Sequence, residues 1–492
     1  MLFMYVVLFV VFIFILDHLL VNKRNLELSK QFNGPLRLPL IGGSYKFVGV
    51  SAKDMFGFVQ NMFATYSTQK RNIVQIWVGP ALELFVDDYK IIEAITTNPK
   101  CIAKSSQYSF LHAAVGDGLL FSKGQKWFNR RRIITPTFHF KILEQFFDVF
   151  QKQNSKLIEK IKTETNGHPF NIFPVITSSV LNALVETAMG FELKAKDSEY
   201  LNAVKEIGVV VATRFVQPWQ RLDFLFNLTS SKRKQDELVK ILKNFTTKII
   251  EERRKLLMTK KSEDLKNLDD EDFGLRKKMC LLDVLLQSTI DGKPLSNEDI
   301  QEEVDTFTFA GHDTTTNAIC FTLHMIAKHP EVQQRLNKEI EEVLGDEKLT
   351  FKSLSEFKYL ELVIKETLRM YPPAPVISRR LYEEVDFGDF IAPANANYNI
   401  ALFSAFRNPN VFENPDEFIP ERFLKELPAF AFIPFSAGQR NCIGQKFAMT
   451  SIKTNIINIL RQFTVIPSGK EPEIEMHITL KCDSLLVGFQ KK

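Results

Sequence analysis

A ten-residue segment near the C-terminus, FSAGQRNCIG at Phe435–Gly444, constrains this chain of 492 residues more than any other feature. The pattern predicts a loop that runs into a helix from Cys442 to about residue 463, with Gly438 permitting a tight turn. Near the helix N-terminus, Cys442 would meet the positive end of the helix dipole and the charge of Arg440, and both favour a thiolate. Such a thiolate would be a strong metal ligand, and Gly444 would let the backbone approach a flat group closely.

An isolated cysteine is more often a small buried side chain than a ligand, so a structural role is the alternative interpretation of Cys442. That alternative loses weight because of the residues around the cysteine. In a chain of this composition, the same Phe, Gly, Arg, Cys and Gly spacings would arise by chance with a probability on the order of a few in 10⁵. The pattern therefore favours a functional thiolate.

A second unusual segment, FAGHDTT at Phe309–Thr315, lies within a long stretch of helical periodicity. Gly, Asp and Thr are unfavourable inside a helix, and Gly costs about 1 kcal/mol relative to Ala. A requirement other than helix stability is therefore expected at Asp313 and Thr314. A kink or capping motif in a buried helix is the alternative, and we interpret His312 as ordinary helix packing.

Together, the two segments resemble the haem-binding loop and the oxygen-activating helix of the cytochrome P-450 superfamily. The resemblance implies haem b with Cys442 as the axial ligand, whose thiolate pushes electron density onto the iron and favours O–O cleavage. It also implies that Arg440 pairs with a haem propionate, that Thr314 hydrogen-bonds dioxygen and that Asp313 relays protons. The loop residues that the resemblance assigns to the haem site are Phe435, Gly438, Arg440, Cys442 and Gly444.

Further motifs occur in the order typical of the family. Trp127 and Arg131 have the spacing of its Trp-x-x-x-Arg helix, and Arg379 follows a proline-rich turn. The resemblance implies that all three reach haem propionates, although three consecutive arginines leave the register open. A Glu-Arg-Arg network with a structural role is also implied. Its residues would be Glu366, Arg369 and Arg422.

The expected fold is mainly α with small β-sheets, the cytochrome P-450 fold that the resemblance implies. Helical spacing dominates from about residue 90 to 371, and two β-rich runs at 73–78 and 82–86 flank Gly79-Pro80, which predicts a hairpin. Residues as distant as Trp127 and Cys442 must meet on one cofactor. A single haem-binding catalytic domain is therefore expected over residues 51–492.

The N-terminus predicts a membrane anchor helix at residues 1–21. The run Leu2–Leu16 contains no charge, Gly or Pro, but covers only about 22 Å of a core roughly 30 Å thick, so the helix must continue past Asp17. Neither a basic n-region nor a small-residue cleavage site is present, which favours an uncleaved anchor over a signal peptide. The basic pair Lys23-Arg24 predicts a cytosolic body, and residues 22–50 are expected to form a Pro/Gly linker.

Charge and cysteine usage exclude other classes of protein. Lys plus Arg total 63 against 58 Asp plus Glu, and the two signs are mixed along the chain, whereas a nucleic-acid binder concentrates basic residues in stripes. The five cysteines form no CxxC pair, so neither a disulfide framework nor a zinc site is predicted. A reducing compartment is expected.

Three segments are similar to the family-4 branch of the superfamily, whose members often hydroxylate fatty acids and other long aliphatic chains: Thr135–Phe140, Val304–Phe307 and Asn441–Met449. Ala310 stands where many family-4 members carry a Glu that can form an ester with haem, so non-covalent haem is expected. Phe406 replaces a usual His, and Ala394-Asn395 stands where a Gly turn is common. We assign no functional consequence to these last two departures.

The resemblance implies insertion of one oxygen atom from O₂ into a C–H bond of an apolar substrate, such as a fatty acid, lipid hormone, hydrocarbon or xenobiotic. Electrons would come from NADPH through NADPH-cytochrome P-450 reductase, with cytochrome b5 as a second candidate donor. The implied location is the endoplasmic reticulum membrane, single-pass, with the catalytic domain on the cytosolic face. A basic surface that includes Lys446 and Lys453 is one way to steer an acidic reductase, although solvated lysines are commoner.

Three other functional classes stay open from the residues. A haem-thiolate isomerase or dehydratase would rearrange peroxides without a reductase, and Asp313 and Thr314 argue against it because such chemistry needs no proton delivery to dioxygen. A non-catalytic haem carrier or sensor would show no turnover. A membrane-anchored scaffold without a cofactor would carry no pigment.

Overall fold

Helices make up most of the structure, a computed structural model that describes residues 2–68, 72–164, 168–193, 198–264 and 279–492. The longer helices are Leu2–Leu20, Met55–Tyr66, Tyr89–Thr97, Gly124–Ile134, Phe147–Glu164, Phe173–Leu184, Ser198–Val216, Ser230–Asp264, Asn297–Lys328, Pro330–Leu344, Lys358–Met370 and Gln445–Gln462. Shorter helices are Lys23–Ser29, His112–Val115, Phe140–Gln145, Asp223–Phe226, Leu281–Gln287 and Leu402–Ala405. The predicted mainly helical class is confirmed.

The strands form small sheets, as predicted. They are Ile73–Val78, Ala81–Val86, Phe170–Asn171, Thr289–Ile290, Lys293–Pro294, Ile377–Arg380, Val385–Asp386, Ile391–Ala392, Asn397–Ile400, Phe463–Pro467, Ile474–Met476, Leu480–Cys482 and Leu486–Lys491. The first two pair antiparallel, which confirms the predicted hairpin. Ala81–Val86 also pairs with Asn397–Ile400, which in turn pairs with Ile377–Arg380, to complete a four-stranded sheet.

The helix Asn297–Lys328, here called the central helix, organises the core. It begins at a capping box in which Ser296 and Asp299 each accept a hydrogen bond from the other's backbone N–H. It packs against the helices Phe173–Leu184, Ser230–Asp264, Lys358–Met370 and Gln445–Gln462. Because neighbours surround it, nearly every side chain along its middle is buried.

The N-terminal segment differs from the prediction. In the described residues, no single helix is both long and apolar enough to cross a membrane, so the predicted transmembrane helix is not confirmed. The segments Met4–Leu20 and Lys23–Ser29 meet the length and composition criteria only together, and they are bent by 87°. The bend follows Asp17, whose carboxylate accepts hydrogen bonds from the Arg37 guanidinium and, at 2.8 Å, from the backbone of Leu40.

Residues 22–50 lie against the body of the protein. Leu28 and Phe32 are buried, and the backbone N–H of Gly43 donates to the carbonyl of Trp77 at 2.6 Å. This segment therefore contains a short helix and sheet contacts where the sequence indicated a Pro/Gly linker.

Candidate functional site

The segment Phe435–Gly444, here called the cysteine loop, forms a closed turn before the last long helix. The backbone N–H of Cys442 donates to the carbonyl of Phe435 at 2.8 Å, and Gly438 has a φ of +66°. The helix begins at Gln445 with Gly444 as its N-cap, three residues later than predicted. Cys442 thus lies just before the helix N-terminus.

Gly438 is required by both its conformation and its surroundings. A Cβ at this position would lie 1.9 Å from the carbonyl oxygen of Thr96, which is backbone and cannot turn aside. Sequence reasoning found the turn but not this contact, because Thr96 belongs to the distant helix Tyr89–Thr97.

We expect Gly438→Ala to lower the free energy of unfolding by about 2–4 kcal/mol, because it combines left-handed strain with a backbone clash. The matched control is Gly469→Ala. Gly469 has a φ of +74°, but a Cβ at this position would have nothing within 4 Å, so only the strain of about 1 kcal/mol should appear there. Urea unfolding of the two variants measures the difference, and equal losses would contradict the clash.

Four cations surround Cys442. Arg131 donates to the carbonyl of Asn441 at 2.9 Å and to its side-chain oxygen at 2.6 Å. Arg379 donates to the Ser436 hydroxyl at 3.1 Å. Arg440 stacks over the ring of Trp127 at 4.3 Å, and the charge of Lys104 acts on the Cys442 thiol. The structure therefore brings Trp127, Arg131, Arg379 and Arg440 together at the cysteine loop.

These cations have no anionic partner in the part of the chain that the structure describes, where none makes a salt bridge within 4.0 Å. Burial lowers the pKa of Arg440 to about 9, and the neighbouring Arg379 and Arg131 contribute to that lowering. Burial, followed by Arg379 and Arg440, also holds the pKa of Lys104 well below its usual range. A buried group of like charges is unfavourable unless a ligand neutralises it. The two propionates of a haem group would supply two of the missing counter-charges.

The register of the arginine run is visible in the structure. Arg130 is buried and turned away from the cysteine loop, towards an ion pair with Asp299. Arg131 lies on the loop, as the family spacing implied. Sequence reasoning missed Lys104, because nothing in its context distinguishes it from the exposed Lys100 four residues earlier.

The electrostatics of the Cys442 thiol differ from the prediction. Burial raises its pKa, and the backbone N–H of Gly444 with the charges of Arg131 and Lys104 only partly offsets that rise. The Arg440 guanidinium donates to the carbonyls of Ile102, Leu119 and Ser122. Cys442 as a whole residue keeps solvent-accessible surface.

The central helix has an accessible patch in its middle. Between Glu303 and Ala327 only four residues of this described stretch are not fully buried: Ala310, Gly311, Asp313 and Thr314. The Thr314 hydroxyl donates to the carbonyl of Ala310 at 2.9 Å. Gly311 also has a packing reason, because a Cβ there would lie 2.9 Å from the Leu184 side chain.

Asp313 is held by residues of the hairpin that the strands Ile474–Met476 and Leu480–Cys482 form. Its carboxylate accepts hydrogen bonds from the Thr479 hydroxyl and the Lys481 ammonium. Burial acts to raise the pKa of Asp313, but the charges of Lys481 and His312 and these hydrogen bonds bring it below the usual value. His312 itself is buried, with Nδ1 2.6 Å from the Thr308 carbonyl oxygen, as expected for helix packing.

The Glu-Arg-Arg network forms as the resemblance implied. Glu366 pairs with Arg369 at 2.7 Å and with Arg422 at 2.9 Å. Arg369 also donates to the carbonyls of Phe406, Pro415 and Glu417, so the network fastens the coil before the cysteine loop to the helix Lys358–Met370.

The structure explains two departures from the family pattern. Asn395 has a φ of +59°, and Asn is the residue that best replaces Gly in the left-handed region. Phe406 is fully buried and packs against the ring of Phe432 at 5.2 Å. Both substitutions therefore fit the local structure.

Two cavities adjoin these residues. An outer groove of about 500 Å³ runs behind the cysteine loop and is lined by Phe435, Gln445, Lys446 and Lys453 among others. Lys453 is buried against Glu361 at 3.1 Å, so of the two candidate steering lysines only Lys446 is exposed. An inner cavity of about 130 Å³ has mostly apolar walls. It is lined by Phe85, Tyr108, Phe215, Arg221, Met476 and His477 among others.

The inner cavity lies beside the residues already described. Tyr108 lines the cavity, and the Lys104 ammonium lies over its ring at 5.0 Å from the ring centre. At another part of the wall, Met476 and His477 precede Thr479, which binds Asp313. The cavity therefore borders both the cation cluster and the hairpin that holds Asp313.

Comparison with known proteins agrees with this arrangement. Residues 33–487 match the family model described as Cytochrome P450, so the chain belongs to the cytochrome P450 family and is a haem-thiolate monooxygenase. Cytochrome P450 4d2 of Drosophila melanogaster is 44% identical over 91% of each chain. Cytochrome P450 4d8 of the same species is 41% identical over 85% of this chain and 93% of its own, and Cytochrome P450 4c3 is 38% identical over 90% and 86%.

Proposed function

We propose that this protein hydroxylates a long aliphatic substrate that carries oxygen at one end, using non-covalent haem b and electrons from NADPH. The observation that supports the cofactor is the cluster of four unpaired cations at the cysteine loop. Two propionates would supply counter-charges for two of these side chains, Cys442 would ligate the iron, and Phe435, Gly438 and Gly444 would shape the loop around the porphyrin. Ala310 offers no carboxylate for an ester bond.

The reaction consumes one O₂, one NADPH and one proton, and it converts a C–H bond to C–OH with release of water and NADP⁺. When bound, haem supplies the oxygen activation. Thr314 would present its hydroxyl at the accessible patch, and Asp313, one residue before it, would hold and transfer protons there. The buried faces of the central helix would keep bulk water away from this point.

The inner cavity supports a particular substrate class. Arg221 donates to the carbonyl of Phe215 at 2.9 Å and forms an ion pair with the buried Glu83 at 3.4 Å, but its buried Nε has no partner among the described residues. A guanidinium with unused donors in an apolar cavity favours a ligand with an oxygen acceptor. Fatty acids and other oxygenated lipids therefore fit better than plain hydrocarbons.

We also propose a subcellular location for the protein and the partners that supply its electrons. Apolar side chains such as Phe9 and Phe12 are exposed along the first helix, which supports attachment to a membrane. The proposed membrane is that of the endoplasmic reticulum, with the catalytic domain on the cytosolic face. NADPH-cytochrome P-450 reductase, with cytochrome b5 as a second donor, would approach the exposed Lys446 beside the outer groove.

The test is reductase-dependent consumption of NADPH and O₂ by the purified holoprotein, with dodecanoic acid and dodecane as probes. We expect dodecanoic acid to stimulate consumption at least about tenfold more than dodecane, because one charge-assisted hydrogen bond is worth about that factor. Peroxide rearrangement without reductase would favour an isomerase or dehydratase instead. No turnover with either probe, despite bound haem, would favour a carrier or sensor.

A further inference from the structure

The hairpin formed by Ile474–Met476 and Leu480–Cys482, here called the C-terminal hairpin, reaches the middle of the central helix. Thr479 donates to Oδ2 of Asp313, and Lys481 pairs with Oδ1. Both oxygens of this carboxylate are therefore bound from one segment that lies more than 160 residues away in sequence. A contact made with both oxygens fixes the plane of the carboxylate as well as its position.

Nothing else described in the structure restrains the Asp313 carboxylate by hydrogen bonding. The neighbouring Thr314 bonds to Ala310, and His312 bonds to Thr308 on its own helix. The side chain of Lys481 is 22% exposed, whereas that of Asp313 is 17% exposed.

The C-terminal hairpin also forms part of the inner cavity. Met476, His477 and Ile478 line the cavity, and the next residue is Thr479. A substrate in the cavity would press on the same short turn that positions the carboxylate. The orientation of Asp313 therefore depends on a segment in contact with the substrate space.

We propose that Lys481 and Thr479 are positioning residues, which hold Asp313 in the orientation from which it delivers protons during oxygen reduction. This inference rests on the proposed function. With Asp313 correctly held, two electrons and two protons lead to one inserted oxygen atom and one water per O₂. When the protons reach the wrong oxygen atom of O₂, the same two electrons and two protons leave as hydrogen peroxide.

The experiment measures the ratio of hydrogen peroxide to water formed from the O₂ consumed by holoprotein with reductase, NADPH and dodecanoic acid. We expect Lys481→Met to raise it about tenfold, less than the roughly 100-fold minimum effect of removing an acid–base group itself. Lys481→Arg should return it to within about twofold of the parent, because the charge is kept. Thr479→Val should raise it by a smaller factor.

The matched control is Lys328→Met. Lys328 pairs with Glu471 and joins the same central helix to the same C-terminal region, but it does not touch Asp313. We expect its ratio to equal that of the parent. An unchanged ratio in Lys481→Met, an equal rise in Lys328→Met, or no rescue by Lys481→Arg would overturn the inference. Failure of the proposed function is distinguishable, because the parent protein itself would then show no reductase-dependent O₂ consumption.

Discussion

Cys442→Ser is expected to remove the strongly red-shifted Soret band from the ferrous carbon monoxide complex and to reduce turnover by more than about 100-fold. Loss of partners in the outer coordination shell alone commonly costs about 10- to 100-fold, and here the ligand itself is lost. A serine hydroxyl stays protonated near neutral pH, so it cannot supply the electron density of a thiolate. Absorbance spectra of the reduced protein with and without carbon monoxide provide the measurement.

The matched control for this prediction is Cys482→Ser. Cys482 is also partly accessible, and its thiol donates to the carbonyl of Ser484 at 3.2 Å, a bond that a serine hydroxyl can also make. Its spectrum should match that of the parent. A red-shifted band that survives Cys442→Ser would contradict the assignment, and so would a parent protein that purifies colourless after haem-replete expression.

The sequence correctly predicted the turns, helices and hairpins whose conformation is determined by a few neighbouring residues. The Gly438 turn, the helix after Gly444 and the hairpin of residues 73–86 each depend on conformational preferences within a few neighbouring residues. The Glu366 network was also predictable, but only through the family resemblance. Its ion pair with Arg422 joins segments that are separated by more than 50 residues, and spacing alone gives no such contact.

Contacts between distant segments account for what the sequence did not predict. Lys104, Arg221 and Lys481 look like ordinary basic residues in sequence, and each acquires its importance from the surroundings that other elements provide. Lys453 is the opposite case. The sequence suggested an exposed lysine, but the structure buries it against Glu361. Hydropathy likewise could not show that the chain bends after Asp17, since that bend accompanies contacts with Arg37 and Leu40.

We expect the second large effect, a loss of stability of the whole fold, in Glu366→Gln. Glu366 is fully buried and is the anion for Arg369 and Arg422, and its Oε1 also accepts the backbone N–H of Ile419 at 2.9 Å. The amide nitrogen of Gln would face a donor, and two arginines would lose their counter-charge in a buried site. Removing one partner of a buried ion pair typically costs about 3–5 kcal/mol, which urea unfolding would measure.

Glu421→Gln is the matched control, because Glu421 lies in the same short turn as Arg422 and forms a surface ion pair with Arg335. Solvent screens that pair, so its loss should cost no more than about 1 kcal/mol. The coil between Phe406 and Arg422 leads into the cysteine loop, so Glu366→Gln should also release haem faster, whereas Glu421→Gln should not. Equal stabilities of the two variants would show that the coil is held by apolar packing, such as that of Phe406 on Phe432, rather than by the buried charges.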